Sequence, residues 1–377
     1  MTVWDRLVGQ TAVIATLQRA VTGDMSHAWL FTGPPGSGRS NAALAFAAAL
    51  HCERGGCGEC TSCRGVAAGS HPDVQVTRTE KLSIGVEEVR NLVRGSAMTP
   101  IGGRWQILMI EDADRLTEQA ANALLKAIEE PNPRTVWLLC APTVEDVLPT
   151  IRSRTRLVVL STPSASEVAE FLITADGVDA DTALHAARAS QGHIGRARAL
   201  ARDADTRRRR EQVVAIPAAL TDLGACIRAA AALHELAKEE AEALTSVADQ
   251  GEKADLDQAY GVVERGRRPR EYAPALRDLE KSQKARAKRR VLDVVDRGLM
   301  DLVSVYRDAL ALQIGASGEL VNTERRDDLA VLAQSSSPED HLRRIDAVFE
   351  AREQMLEFNV PPLLALESLM VALRLAS

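Results

Sequence analysis

The run His27-Ala28-Trp29-Leu30-Phe31-Thr32-Gly33-Pro34-Pro35-Gly36-Ser37-Gly38-Arg39-Ser40 joins a short apolar segment to a Gly/Pro-rich loop and then to an alanine-rich helix from Asn41. Few folds use that order. A strand, a glycine loop and a helix N-terminus together let successive backbone N–H groups turn toward phosphates, and the helix adds its positive end. Gly33, Gly36, Ser37 and Gly38 form the loop, and Ser40 falls where a hydroxyl would hold magnesium. The lysine that would reach the outer phosphates is replaced by Arg39. A guanidinium is planar and offers its donors in a fixed fork, so it does not stand in simply for a compact ammonium. Retained ATP/Mg2+ binding with failed hydrolysis is compatible with this change. The plainer reading is an ordinary glycine loop between strand and helix.

Composition confines the rest. A chain of 377 residues is long enough for two or three domains, and 46% hydrophobic with 26% charged residues is ordinary for a soluble globular protein. The sequence holds no apolar run of the ~18 residues a membrane helix needs. Met1-Thr2-Val3-Trp4-Asp5-Arg6 lacks a signal peptide's basic start and apolar core, so a cytoplasmic address with no membrane partner is expected. A net charge of −6 provides no global field for nucleic acid, which leaves local patches or backbone amides for any DNA contact. The basic residues are overwhelmingly arginine, a usage resembling codon bias that lowers the weight of any single arginine cluster.

Cys52, Cys57, Cys60 and Cys63 follow the spacing C-x4-C-x2-C-x2-C among turn-forming glycines. In a reducing compartment, four thiolates at one centre point to a metal rather than to disulfides, and four sulfurs suit tetrahedral zinc (Zn2+) in a closed structural site. An iron–sulfur cluster is the rival, because C-x2-C-x2-C also occurs in ferredoxins, although their Cys-Pro is missing here. Cys140 in an apolar strand and Cys226 in an alanine-rich helix read as core residues.

Val74-Gln75-Val76 is a candidate strand, and Val86, Val89 and Val93 mark a helix ending near Gly95. The continuous apolar run from Trp105 to Ile110, closed by Glu111-Asp112, reads as a buried parallel strand that delivers carboxylates to the carboxyl edge of a sheet, where a nucleotide's magnesium would sit. The alternative is that these acids cap the next helix. A helix from Glu118 to Glu130 stops at Pro131, a strand runs from Thr135 to Cys140, and Ile151-Arg152-Ser153-Arg154-Thr155-Arg156 leads into the strand from Leu157 to Leu160. Buried strands alternating with helices predict a doubly wound α/β domain.

Leu7-Val8-Gly9-Gln10, the phosphate loop, the four-cysteine insert after its helix, Asn122-Ala123-Leu124-Leu125-Lys126 running to Glu129-Glu130-Pro131, and Ser153-Arg154 together resemble the bacterial clamp-loader family of AAA+ proteins. The resemblance implies an α/β AAA+ (P-loop NTPase-like) domain with a parallel sheet over 1–161, with the zinc module at 52–63. It implies a small helical lid over 162–205 and an all-α collar that oligomerises over 206–377. It also implies a subunit of a replicative polymerase III holoenzyme that takes part in ATP-dependent loading of a sliding clamp onto primer-template DNA, as a hetero-oligomer with gamma/tau-type and delta-type subunits.

In that family Arg154 would be presented in trans to a neighbour's ATP site, where a guanidinium supplies bidentate positive donors to charge developing at the γ-phosphate. The family's ATPase subunits have lysine at Arg39, Asp-Glu at Glu111-Asp112, a polar sensor near Ala141-Pro142 and a sensor arginine near Gly195. Four altered catalytic parts imply a chain that is no ATPase by itself. The competing function is an active AAA+ ATPase, either the loader's motor or a related replication or repair remodeller, with Arg39 tolerated.

Past Pro163 the chain is expected to be helical. Gly192 suits a close approach or a helix cap, and His193 reads as a surface histidine. Leu292, Val295, Leu299, Leu302, Tyr306 and Leu310 form one apolar stripe; Leu342, Ile345, Phe349 and Leu356 form a second. Leu363, Leu366, Met370 and Leu373 form a third, and all three read first as helical core. The basic stretches Arg265–Arg270 and Lys284–Arg290 read as solvated faces, with no aromatic residues interleaved for a single-strand platform.

Overall fold

Ala28–Thr32 forms a strand in which every residue is buried, because helices cover both faces of the sheet it joins. The computed structural model describes residues 1–79, 83–102, 104–260, 262 and 269–375. They divide into two units, Met1–Arg202 and Asp203–Ser377.

The first unit runs α1 (Thr11–Thr22), β1 (Ala28–Thr32), α2 (Arg39–His51), α3 (Thr61–Ala67), β2 (Val74–Thr77), α4 (Val86–Ser96) and β3 (Gln106–Ile110). It continues through α5 (Glu118–Glu129), β4 (Thr135–Ala141), α6 (Pro149–Arg152), β5 (Arg156–Val159), α7 (Ala165–Asp176), α8 (Ala180–Ser190) and α9 (Ile194–Arg202). The five strands are parallel in the order β2-β3-β4-β1-β5, with Leu30 opposite Leu139 and Phe31 opposite Val158. Side-chain alternation splits the core in two. Trp29, Phe31, Ile107, Met109 and Leu138 pack with Phe46 of α2, whereas Leu30, Leu108, Ile110, Trp137 and Leu139 pack with Leu92 of α4 and Leu124 of α5. The strand order reverses beside β1, and such a switch point opens a crevice at the carboxyl ends of the strands.

Gln10, nearly fully buried, ties the chain's start to the end of the sheet: its Nε2 donates to Ser161 O at 2.7 Å, and its Oε1 accepts from Ser161 N at 3.3 Å. Helix α7 then begins at a capping box between Ser164 and Glu167, and α8 begins at Asp179, whose carboxylate accepts from Thr182 N at 2.9 Å. Val168, Leu172, Ala183, Ala187 and Leu200 close α7, α8 and α9 into a small cluster of their own.

The second unit is helical: α10 (Ala204–Val214), α11 (Ile216–Ala219), α12 (Leu223–Ala259), α13 (Tyr272–Gln313), α14 (Arg326–Gln334), α15 (Pro338–Leu356) and α16 (Pro362–Leu375). Leu292, Val295, Leu299, Leu302 and Tyr306 are buried as their spacing predicts, and Cys226 joins the same core. The second stripe is a correction. Leu342, Phe349 and Leu356 are 50%, 43% and 43% exposed, and Ile345 is half-buried. Helix α15 instead turns His341, Arg344, Val348, Ala351 and Met355 inward, a face whose polar members hid it from an apolar count. Arg344 is held there by Leu373 O at 3.0 Å and Ser336 Oγ at 2.9 Å. In α16, Leu366, Met370 and Leu373 are buried but Leu363 is exposed.

The basic stretch in α13 is only partly solvated. Lys284, Lys288 and Arg290 are exposed, but Arg286 is buried against Asp249 and Glu252 of α12. The stretch Arg265–Arg268 lies outside the described residues.

Candidate nucleotide-like site, cysteine centre and arginine

The phosphate loop forms at the carboxyl end of β1. Gly33 N donates to Pro142 O at 3.1 Å, which fixes the loop to the end of β4, the place read as a polar sensor's. Gly38 opens α2 with φ 89°, a left-handed value that a side chain resists, and the helix start carries no side-chain cap. The first N–H groups of such a helix start form the kind of end that attracts anions. Ser37 Oγ and Thr32 Oγ1 are buried there with no hydrogen-bond partner among the described residues, while Ser40 is half-buried.

Arg39 does not reach outward. Its Nη1 donates to Gly33 O at 2.8 Å, so the guanidinium folds back on its own loop. Glu111 is taken up as well: its two oxygens accept from Arg78 Nε at 2.6 Å and Nη2 at 2.9 Å. Asp112 lies 3.8 Å from Arg115. Asp114, which sequence reasoning did not single out as a site residue, feels the charge of Arg39. Burial raises its pKa, the neighbouring Asp112 raises it further, and the field of Arg39 opposes both. The signal was available in the acidic pattern Glu111-Asp112-Ala113-Asp114.

His193 is a further correction. It is half-buried, and a Cβ on Gly36 would fall 2.4 Å from its Cγ and 2.6 Å from its Cα, so the start of α9 packs directly on the loop. Gly36, at φ 87°, permits that approach, and Gly192 approaches Thr162 and Pro163 in the same way.

The four cysteines of the insert converge. Their sulfurs lie within 4.8 Å of one another, and Cys52 and Cys60 Sγ are 3.8 Å apart. Tetrahedral coordination at a Zn–S length of about 2.3 Å asks for sulfurs about 3.8 Å apart, so the set fits a metal. Backbone N–H groups of Cys57 and Cys63 donate to Cys52 and Cys60 Sγ, each at 3.4 Å. Burial opposes ionisation of Cys52, but the backbone N–H groups of Cys57, Gly56 and Arg54 outweigh it and bring its pKa down to about 6. Burial pushes the Cys63 thiol up to about 12, the cost a bound cation would remove. Trp4 anchors the insert by donating from Nε1 to Gly55 O at 2.9 Å. Beside it, His51, His71 and Asp73 also cluster, but Asp73 accepts from Ile101 N at 2.6 Å and Gly102 N at 2.7 Å, while its own N–H donates to His71 Nδ1 at 3.2 Å. Those bonds fasten the turn before β3. Cys140 is a buried strand residue whose thiol burial pushes up.

Arg154 sits elsewhere. In the parallel register Trp29 faces Arg156, so Arg154 precedes the amino end of β5, whereas the phosphate loop follows the carboxyl end of β1. The two edges are separated by the length of a five-residue strand, on the order of 15 Å. Arg154 Nη1 donates to Thr150 O at 2.9 Å and Ser153 Oγ at 3.2 Å, and Nη2 lies 2.8 Å from Glu129 Oε1. Thr155 closes the turn with a bond from Oγ1 to Arg152 O at 3.0 Å.

No helix among the described residues is long and apolar enough to cross a membrane. Residues 9–164 match the family model described as DNA polymerase III, delta subunit, and residues 296–374 match that subunit's C-terminal model. The chain is 41% identical over 157 residues to DNA polymerase III subunit delta' of Pseudomonas aeruginosa, covering 40% of this chain and 48% of that protein. It is 32% identical over 171 residues to subunit delta' of Bacillus subtilis, covering 44% and 52% respectively. Subunit gamma/tau of Mycobacterium tuberculosis is 36% identical over 155 residues, covering 40% of this chain and 27% of that protein. The chain thus spans about half the length of the delta' relatives it matches. A solved gamma subunit-related protein from Thermotoga maritima aligns over 97% of this chain and 99% of its own at 16% identity and a TM-score of 0.40, too distant to carry weight. The paired family matches, the delta' relatives and the five-stranded parallel α/β unit followed by helices agree: the chain belongs to the DNA polymerase III delta-prime subunit family.

Proposed function

We propose that this chain is the delta-prime subunit of a clamp loader, without ATPase activity of its own, that supplies Arg154 to the ATP site of a neighbouring gamma/tau-type subunit during loading of the sliding clamp onto primed DNA. The observation that carries this reading is placement: Arg154 lies at the sheet edge opposite its own phosphate loop, so it serves a triphosphate only on another chain. The chain's own loop has Arg39 folded onto Gly33 O and Glu111 held by Arg78, which takes away the phosphate-reaching cation and one carboxylate for the metal. Any ATP/Mg2+ bound there would be held by loop N–H groups, Ser37 and Ser40, with Asp112 beside them. Cys52, Cys57, Cys60 and Cys63 hold one structural zinc that fixes the insert against α2. The exposed apolar stripe Leu342, Phe349 and Leu356 supports the helical unit as a collar that packs on other subunits.

The gamma/tau relatives keep the motor reading in play, since they match this chain over a similar length. One experiment separates the two: ATP turnover by the isolated chain, and by gamma/tau-type and delta-type subunits with clamp and primed DNA, with and without it. Background turnover alone and stimulation on addition support the proposal; robust turnover by the isolated chain overturns it.

A further inference from the structure

The contact between Arg154 and Glu129 has little to offer stability. Both side chains are partly exposed, 40% for Arg154 and 46% for Glu129, and ion pairs at such exposure contribute little to stability. Nor does Glu129 help its own helix. It is the last residue of α5, where a carboxylate opposes the helix macrodipole. What the pair does achieve is geometric. A free arginine has many rotamers to lose when it is held in one orientation. Here Thr150 O, Ser153 Oγ and Glu129 Oε1 fix the guanidinium from two sides. Five N–H donors meet three acceptors among the described residues, so donors remain for an incoming phosphate while the side chain stays aimed.

We infer that Glu129 is a positioning residue for Arg154, holding the guanidinium in the orientation in which it meets the neighbour's triphosphate. The inference rests on the proposed role of Arg154 in trans and adds a second residue to it. Thr150 O and Ser153 Oγ hold only Nη1, which leaves the guanidinium free to swing about that edge. Glu129 Oε1, on Nη2, stops the swing. An acceptor at that point is what the geometry requires, so a neutral amide oxygen serves nearly as well as a carboxylate.

The test is steady-state ATP turnover by the assembled loader with clamp and primed DNA, comparing wild type, Glu129→Ala, Glu129→Gln, Arg154→Ala and the double variant Glu129→Ala/Arg154→Ala. Misplacement of a catalytic group is costly, so Glu129→Ala is expected to lower kcat at the one ATP site that faces this subunit by about tenfold, never by more than Arg154→Ala, with KM unchanged. Glu129→Gln should return kcat to within about twofold, because its amide oxygen accepts the same N–H. The double variant should match Arg154→Ala, since nothing remains to position. Wild-type kcat for Glu129→Ala alongside an impaired Arg154→Ala overturns the positioning role and leaves the role of Arg154 standing. Additive losses in the double variant also overturn it, by assigning Glu129 a separate function. Wild-type turnover for Arg154→Ala overturns both.

Discussion

Arg154 Nη2 lies 2.8 Å from Glu129 Oε1, joining the last residue of α5 to the turn that precedes β5. The same guanidinium lies at the opposite sheet edge from its own phosphate loop. Arg154→Ala should leave the chain folded and assembled, with a stability loss of at most about 1 kcal/mol. It should reduce turnover at the one ATP site that faces this subunit. Arginines acting in this way in other systems are worth ~10³–10⁵ in rate, although a loader with several ATP sites would lose only one site's contribution. Arg154→Lys should recover little, because an ammonium lacks the paired planar donors. Wild-type turnover by the Arg154→Ala complex would show that the arginine serves only its ion pair.

The cysteine cluster predicts one zinc per chain by elemental analysis. Removing the metal, or changing Cys52 to Ser, should lower the melting temperature of the first unit and loosen the contact of Trp4 with Gly55, read as a change in tryptophan emission. No substrate position is left in a closed four-thiolate site, so stimulation of the partner's turnover should fall only as far as folding does. Metal content near zero with four free thiols would contradict this.

The phosphate loop should stay inactive after Arg39→Lys. A lysine restores the ammonium, but Glu111 remains paired with Arg78 and Pro142 O remains bound to Gly33 N. Turnover by the isolated variant is expected at background. Measurable hydrolysis from this one change would locate the whole defect in Arg39.

The exposed face of α15 separates folding from assembly. Leu342→Ser and Phe349→Ser should change stability by no more than about 0.5 kcal/mol, as for most surface substitutions. They should weaken association with the other subunits in size-exclusion chromatography. Val348→Asp, one position from Phe349 but fully buried, should cost more than about 3 kcal/mol by burying an unpaired charge. Undiminished association of the two surface variants would place the interface elsewhere.

His341 gives the helical unit a pH dependence. It is fully buried with Arg344 Nη1 3.5 Å from Nδ1; burial lowers its pKa first, Arg344 lowers it further, and Asp340 partly opposes them. The folded state therefore keeps the imidazole neutral at a pH where the unfolded chain binds a proton. Its contribution is complete above the unfolded pKa near 6.5 and is lost progressively as pH falls through the lowered folded value. Urea unfolding of the second unit should show this decline below about pH 6.5, and His341→Gln should flatten it. An unchanged profile in that variant would assign the decline to other groups.

Local order was legible in the residues themselves. The apolar runs of β1, β3 and β4 announce strands buried on both faces, Pro131 and Gly38 mark helix limits, and the cysteine spacing predicts a convergence that the folded chain shows, because these signals depend on a few neighbouring side chains. Periodicity also found the inward stripe of α13, where the core-facing residues are all apolar. It failed on α15, whose inward face mixes His341 and Arg344 with Val348 and Met355, because a polar side chain is buried only when distant partners such as Leu373 O and Ser336 Oγ await it. The packing of His193 on Gly36, the withdrawal of Arg39 to Gly33 O and the pairing of Glu111 with Arg78 and of Arg154 with Glu129 likewise join residues separated along the chain or by a turn in it. Sequence named most of the charged groups of the site; which acid meets which base was decided by the folded chain, and the parallel run of β1 and β5 carries Arg154 to one edge and the phosphate loop to the other.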